Sequence, residues 1–591
     1  MTITLSDLLA RYTVPNLKDF LEHIPGSNKS GRKEDLIARL LDAMSGPDLQ
    51  SHFSRLDALQ QAAVAEAVHH PLGQYSGQRF LAKYQALPAF ETSSKPAHLY
   101  GGQMPSALAL FIHKVHDLSC QMIPSDLRAR LKQFVPRPAT VVMKNTEQAP
   151  SKEDLTVRMT EREALQEVMI MLRTIEQGRV QVSEKTLLAG TATLRLITEK
   201  LVGGDFYPWP EKKDKWEQQI GPIKAFAWPL LVQAGGLARL SGNRLVLTPQ
   251  GIKALSAPPA NVLCSLWRAW LKSTILDEFS RIDAIKGQNA KGRVMTAVTP
   301  RRATIEAVLR DCPVGRWIEL NEFSRFMRAT DRLFAVTHDV WKLYIGDREY
   351  GSLAYMGSNE WNILQDRYIS ALLFEYAATL GLIDIAYVDP VDGRDGFSTL
   401  WGADELAFLS RYDGLDSIRV TPLGAYVLGL TTDYQPVAVP STVSLSVLPS
   451  LQIKVTRGTL AIDESLLLEN WAEQLSPDSW LLNKAKTLSS IEKGFDIAEL
   501  QGFLESRDEM PLPDSVESFI RQSERNGRAL KVAGNVVLVE CRDAEIADAI
   551  AAHKETGSLC QRTGTKGLVV PANQLDKLRE RVHLLGFGLV A

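Results

Sequence analysis

The side chains whose type and spacing best suit chemistry are cations that can meet phosphate. Lys29, Arg32 and Lys33 cluster in a Gly- and Ser-containing loop that runs into a stretch of helical apolar spacing. Backbone N–H groups at a helix start attract anions, and neighbouring cations gain from counterion release on a phosphate backbone. A second group lies between Arg281 and Arg332, where eleven basic side chains face six acidic ones and Gln288–Gly292 forms a polar, Gly-containing loop. From that group Lys291, Arg293, Arg301 and Arg302 are expected to extend a phosphate path. Such contacts are salt-sensitive and largely independent of base sequence. The plainer alternative for both groups is a solvated charged face.

Catalytic spacings are missing. Gly26 to Lys33 is similar to a P-loop, but Arg32-Lys33-Glu34 stands where Gly-Lys-Ser/Thr is needed, and no strand leads into it. Phosphoryl transfer needs that loop and a carboxylate-held metal, so no ATPase is expected. GxSxG, HExxH and paired CxxC motifs do not occur. His113, His116 and Cys120 lack the second thiol or intervening Glu of a zinc site, and read as ordinary side chains on a helix over 107–118. Asp205, Glu211 and Lys213 can be written as a nuclease-like Asp…Glu-x-Lys pattern, but they lie in a Gly/Pro/Trp-rich loop that no strand would fix. Trp267, Trp270, Trp317, Trp341 and Trp361 fall among apolar helix positions, which points to core packing over base stacking. No enzyme activity and no cofactor or metal is expected.

The chain that must position these residues has 591 of them, 45% hydrophobic and 23% charged. At roughly 150 residues per domain that length suggests three or four domains. With 67 Lys+Arg against 69 Asp+Glu the formal charge is −2, which excludes a histone-like protein but leaves room for local basic patches. Five widely spaced cysteines fit a reducing cytoplasm. No apolar run suits a membrane span, and Met1 to Asp19 does not read as a signal peptide.

Residues 5 to 44 read as two short helices around a turn-forming loop. Leu17, Phe20, Leu21 and Ile24 follow Pro15 at helical spacing, and Leu36, Ile37, Leu40 and Leu41 share a later face. With Val14, Lys18, Gly31, Lys33 and Arg39 this stretch resembles a SAP module, a helix-extended-helix DNA-binding unit. That resemblance implies that Lys29, Arg32 and Lys33 approach the DNA backbone.

The middle of the chain repeats itself. An apolar helix over 223–232, Gly235-Gly236-Leu237, two strands about Gly242-Asn243, then Thr248-Pro249-Gln250-Gly251 is matched later. The second copy has a helix over 369–380, Gly381-Leu382, a strand over 383–388 and Thr421-Pro422-Leu423-Gly424. Thr caps a helix and Pro fits its first turn. This order is that of a winged helix, preceded each time by helix-turn-helix candidates: 161–175 with 193–201, and 304–309 with 321–327. In a winged helix one helix enters the major groove and the wing covers the backbone.

Beyond Pro436 the pattern turns α/β, with strands expected over 451–455, 529–532, 536–540 and 568–570 and five helices between and after them. Ser444 to Ile453, Leu512-Pro513, Arg525 to Arg528 and a hairpin over 530–539 resemble the helicase-associated domain found beside the motor of XPB/Ssl2-type DNA helicases. The paired central units resemble bacterial proteins that carry this domain without a motor. The expected fold is multidomain, mainly α with α+β. It comprises a SAP-like helical hairpin (1–46), a helical domain and Pro-rich linker (47–155), tandem winged helices (156–258 and 259–435) and a C-terminal α/β helicase-associated domain (436–591). The expected function is that of a non-catalytic, cytoplasmic DNA-binding accessory protein. It would recruit or position a separate helicase, ATPase or nuclease in repair or antiviral defence. A protein-binding scaffold and a transcriptional regulator are the alternatives.

Overall fold

The computed structural model describes residues 3–92, 104–115, 120–209, 218–436, 443–530, 532 and 534–590. Helices and small antiparallel sheets alternate along the chain, which divides into two compact units, Met1–Val439 and Pro440–Ala591. In the first unit a short helix Leu5–Leu9 precedes the two expected ones, Val14–Glu22 and Lys33–Ser45. Thr13 caps the second of these three, with Pro15 in its first turn and Leu17, Phe20 and Leu21 buried on one face. One apolar core runs from Leu5 to Val135, so the expected division at residue 46 falls inside it. The Leu5 N–H donates to Asp126 at 2.9 Å, and the His23 ring meets the Pro105 carbonyl at 2.7 Å.

The helix expected over 107–118 does not form. A single 3-10 turn, Ala107–Leu110, gives way to a strand, His113–Val115, paired with Cys120–Met122. Buried His113 and Val115 alternate with exposed Lys114, a period of two that a bulky, β-branched run favours over a helix. His116 lies outside the described residues.

The central repeat is present as an order of elements. The first copy runs Glu161–Glu176, an extended piece bridging Gln181 to Arg244, Thr191–Lys200, Lys224–Ala234, then the hairpin Ala238–Ser241 with Arg244–Leu247. The second runs Val298–Leu309, Trp317–Glu319, Leu320–Ala329, and a continuous helix through Trp361–Gln365, Asp366–Ala371 and Leu372–Ala377. It ends in Ile383–Tyr387 against Leu415–Val420. In both copies the early extended piece pairs with the last strand. A single apolar core spans both copies, so the expected division at 258 also falls within one core.

Each copy closes on the same small device. Thr248 and Thr421 accept from the N–H of Gly251 (3.1 Å) and Gly424 (2.8 Å), capping the helices Pro249–Ala254 and Pro422–Val427. Their hydroxyls in turn donate to Gly236 and Gly381 carbonyls, both at 2.7 Å. The helix start then lies so near the strand that a Cβ on Gly251 or Gly424 would sit 2.0 Å from the Leu237 or Leu382 carbonyl oxygen. Only glycine fits there, which explains Thr-Pro-x-Gly at both places.

The second unit carries two cores. The first joins a sheet ordered Ser444–Val447, Gln452–Arg457, Ser479–Leu482, Ala472–Ser476 to four helices. The helix Ile462–Trp471 ends where Ala472 turns directly into a strand. The second core holds Val536–Glu540, Gly567–Pro571 and Gln561–Thr563 with the helices Ala544–Ala552 and Leu575–Leu584. Leu530 and Val532 are 95% and 89% exposed; Lys531 and Ala533 lie outside the described residues. Val536–Glu540 pairs with Gly567–Pro571 in place of the expected hairpin over 530–539.

Two substitutions test the repeated glycine device. Gly251→Ala and Gly424→Ala are each expected to lower unfolding stability by about 1–3 kcal/mol through overpacking. Gly502→Ala, in open space on the helix Ile497–Arg507, is expected to raise it by about 0.5–1 kcal/mol. Urea unfolding of the three variants, with the midpoint compared to the parent, reads both signs.

Candidate nucleic-acid interface

The basic stretch from Arg281 to Arg332 does not form a positive face. Seven of its nine arginines pair with carboxylates among the described residues, four of those carboxylates lying outside the six that the stretch's own count supplies. Arg281 pairs with Glu375, Arg301 with Asp277, Arg302 with Glu278 and Arg316 with Glu147. Arg310, Arg325 and Arg332 pair with Glu306, Glu322 and Asp311.

Arg301 and Arg302, expected on a phosphate path, are buried at 1% and 0% exposure. Arg301 grips Asp277 with two bonds of 2.9 and 2.7 Å and lies over the Tyr368 ring. Arg302 bonds Glu278 at 2.6 Å, the Ser273 and Leu276 carbonyls at 2.6 and 2.8 Å, and the Trp270 carbonyl. A guanidinium whose donors are filled inside a core meets no phosphate. Both residues hold the fold together and leave the path. Burial opposes the Arg302 charge, but the Glu278 carboxylate more than offsets this and holds its pKa above the ordinary arginine value.

Lys291 and Arg293 stay on the surface, and neither side chain makes an ion pair among the described residues. The amino-terminal loop is mixed. Arg32 is exposed and makes no ion pair among the described residues, Lys29 is exposed beside Glu22 at 3.1 Å, and Lys33 is half-buried with its ammonium on the Ala10 carbonyl at 2.7 Å. Arg39 shapes the loop by donating to the Asn28 and Ser30 carbonyls. Glu34 and Asp35 occupy the first turn of the helix, and the Asp35 carboxylate takes the Arg32 N–H at 2.9 Å. The macrodipole there is already met by negative charge, which weakens it as a phosphate seat.

Two cations that spacing arguments passed over stand on the first hairpin. Arg239 lies opposite Val246 and Ser241 opposite Arg244, so Arg239 and Arg244 share one face while Leu240 and Leu245 share the other. Both arginines are exposed and make no ion pair among the described residues. The strict alternation Arg239-Leu240-Ser241 and Arg244-Leu245-Val246 was the available signal.

The helices that directly precede the hairpins are interior. Lys224 through Val232 is buried, as is all of Leu372–Ala377. Asp205, written above as a nuclease carboxylate, instead caps the first: its Oδ1 accepts from Phe206, Ile223 and Lys224 N–H groups and its Oδ2 from Ala225. Glu211 and Lys213 lie outside the described residues. Among the described residues no group of His, Cys, Asp or Glu is arranged to hold a metal. His113 is buried beside the Tyr12 hydroxyl, and burial lowers its pKa to about 4. No helix among the described residues is long and apolar enough to cross a membrane.

No protein-family model matches the chain, and no curated protein matches it.

The buried start of the first interior helix carries a cluster of paired charges. Lys224 meets Glu163 at 2.7 Å and Glu167 at 2.6 Å, and Arg158 meets the other Glu163 oxygen at 2.7 Å. Burial raises Glu167 from its ordinary 4.5 to about 7, against the pull of Lys224 and the Trp228 N–H. Between these values the folded chain keeps a proton that the unfolded chain releases. Stability therefore falls as pH rises from 4.5 to about 7, by on the order of 3 kcal/mol from this group. Chemical denaturation across that window is expected to show the slope, and Glu167→Gln to remove its share. An unchanged slope in the variant would assign it to other groups.

Proposed function

We propose that this is a non-catalytic nucleic-acid-binding accessory protein that holds duplex or branched DNA and positions a separate helicase, ATPase or nuclease. In this reading the amino-terminal helices act as a SAP-like head, the two central copies are winged helices, and the second unit is a helicase-associated domain. The observation that carries it is the first hairpin. Arg239 and Arg244 project from one solvent face of the wing position with no carboxylate to neutralise them among the described residues. Arg32 adds an exposed guanidinium in the head.

The mode of contact follows from burial. The helices just before the hairpins face inward, while Thr191–Lys200, the later member of the first helix-turn-helix candidate, buries only Thr193 and Ile197. Contact through the wing and the head then reaches phosphates and not base edges, which makes the binding salt-sensitive and indifferent to sequence. The same inward helices favour a second reading, a scaffold whose winged helices serve only protein contacts. A transcriptional regulator, which must read bases, is the weaker alternative.

Fluorescence anisotropy with a mixed-sequence duplex over a salt series separates these readings. Binding should weaken steeply with salt, and Arg239→Ala/Arg244→Ala should reduce the log–log slope by about 2, near 0.9 for each lost phosphate contact. Arg32→Ala should reduce it further. Absence of binding at low salt favours the scaffold, and one tight site above a weak background favours the regulator.

A further inference from the structure

Three loops meet on the second central copy and build a surface that the duplex contacts above leave unused. Lys286 and Tyr344 exchange backbone hydrogen bonds of 2.8 and 3.3 Å. A Cβ on Gly287, at φ +85°, would sit 1.8 Å from the Lys342 carbonyl oxygen, so glycine is required where these loops touch. Gly346 packs on Gly402, where an added Cβ would lie 3.2 Å from the Gly402 Cα, which brings the 400–402 loop alongside. Beneath them Leu343, Ile345 and Leu353 are buried, so the platform rests on core.

Four large aromatic rings stand out from this platform. Trp341 is 62% exposed and Tyr355 74%, in edge contact at 5.4 Å between centroids. Tyr350 is 61% exposed and Trp401 53%, tilted at 43° with centroids 5.5 Å apart. Trp341 was expected in the core, so its exposure is a correction. Its neighbours explain it: Asp339 caps the Trp341 N–H and Lys342 follows, and no apolar periodicity surrounds the ring.

Between the loops lies an open cleft of about 460 Å³, lined in part by Asp283, Lys286, Gln288, Lys342, Tyr344 and Arg348. Lys291, Arg293 and Arg348 are exposed and make no ion pair among the described residues. Of the carboxylates on these loops, Asp283 pairs with Arg411 and Asp339 with Lys342, while Asp347, Glu349, Asp404 and Glu405 make no ion pair among the described residues.

Exposed rings beside unpaired cations are what unpaired nucleotides require. Every base offers a π-face to an aromatic side chain, while the cations follow the backbone between bases. Paired bases keep their faces inside the stack and gain nothing from Trp341 or Trp401. We propose that this surface binds single-stranded nucleic acid, with bases on Trp341 and on the Tyr350–Trp401 pair and phosphates on Lys291, Arg293 and Arg348. The inference extends the nucleic-acid reading above to a second, separate site, and gives a branched substrate one seat for its duplex and one for its strand.

Full-length protein is titrated with a fluorescent thymidine 20-mer, its uridine counterpart and a mixed duplex, with tryptophan emission recorded in parallel. The single strand is expected to bind and quench emission, with a log–log salt slope near 2 from three backbone cations at about 0.7 each. Trp401→Ala/Tyr350→Ala and Trp341→Ala should each weaken single-strand binding roughly 5- to 150-fold and leave duplex affinity unchanged. Trp401→Phe should retain most of it, and an unchanged melting curve shows that the variants fold. Deoxyribose and ribose arms show which strand the site prefers. Duplex binding without single-strand binding overturns this inference alone, and loss of both overturns the earlier reading too. Single-strand binding untouched by the ring variants, or displaced equally well by polyglutamate, also overturns it.

Discussion

The central region depends on buried guanidinium–carboxylate pairs that tie one copy of the repeat to the other. Arg281 donates to the Pro222 carbonyl and lies over Phe226 in the first copy, while its charge meets Glu375 on the buried helix of the second. The Tyr412 hydroxyl closes on the same carboxylate. Burial opposes the Arg281 charge, but Glu375 opposite it more than compensates and its pKa stands above the ordinary value. Such a pair adds little net stability over an apolar replacement, yet breaking it strands a charge in the core. Its effect is to fix which faces of the two copies meet. Once they meet, the helices before each hairpin are enclosed.

The same pairs explain why local charge counting misled. Arg293 and Arg302 are the same residue type in the same basic stretch, yet one is free in solvent and the other is enclosed by Glu278, Trp270 and three carbonyls. The carboxylate that decides the matter lies 24 residues upstream, and for Arg281 it lies 94 residues downstream. Residue counts within a window carry no information about such partners. Tryptophan shows the converse. Trp270 and Trp341 both follow apolar or cationic neighbours, but only Trp270 sits on a continuous helical stripe that buries it.

Other parts could be read directly, because their cause is local. Thr-Pro-x-Gly names a cap, a first turn and a close approach within four residues, and both copies form it. The helices over 497–507, 514–527, 544–552 and 575–584 follow their apolar spacing within a few residues. Leu530 and Val532, expected in a strand over 529–532, remain in solvent, where strand-forming side chains have no face to bury. The aromatic surface was illegible for a related reason: it is assembled from three loops whose proximity rests on Gly287 and Gly346 packing against distant backbone.

Enclosing the helices before the hairpins has a consequence for specificity in the proposed reading. A protein that touches duplex DNA through Arg239, Arg244 and Arg32 gains affinity from phosphates but no means of telling one sequence from another. Discrimination must then come from the form of the nucleic acid or from a partner. The proposed surface for unpaired bases would supply the first, since a fork or gap offers duplex and strand together where a plain duplex offers one. Two modest sites joined through one folded chain then act at high effective concentration on the substrate that fills both, and weakly on any other. Selectivity of that kind needs no base contact, and it depends on the rigidity that the buried Arg281–Glu375 pair and its neighbours provide.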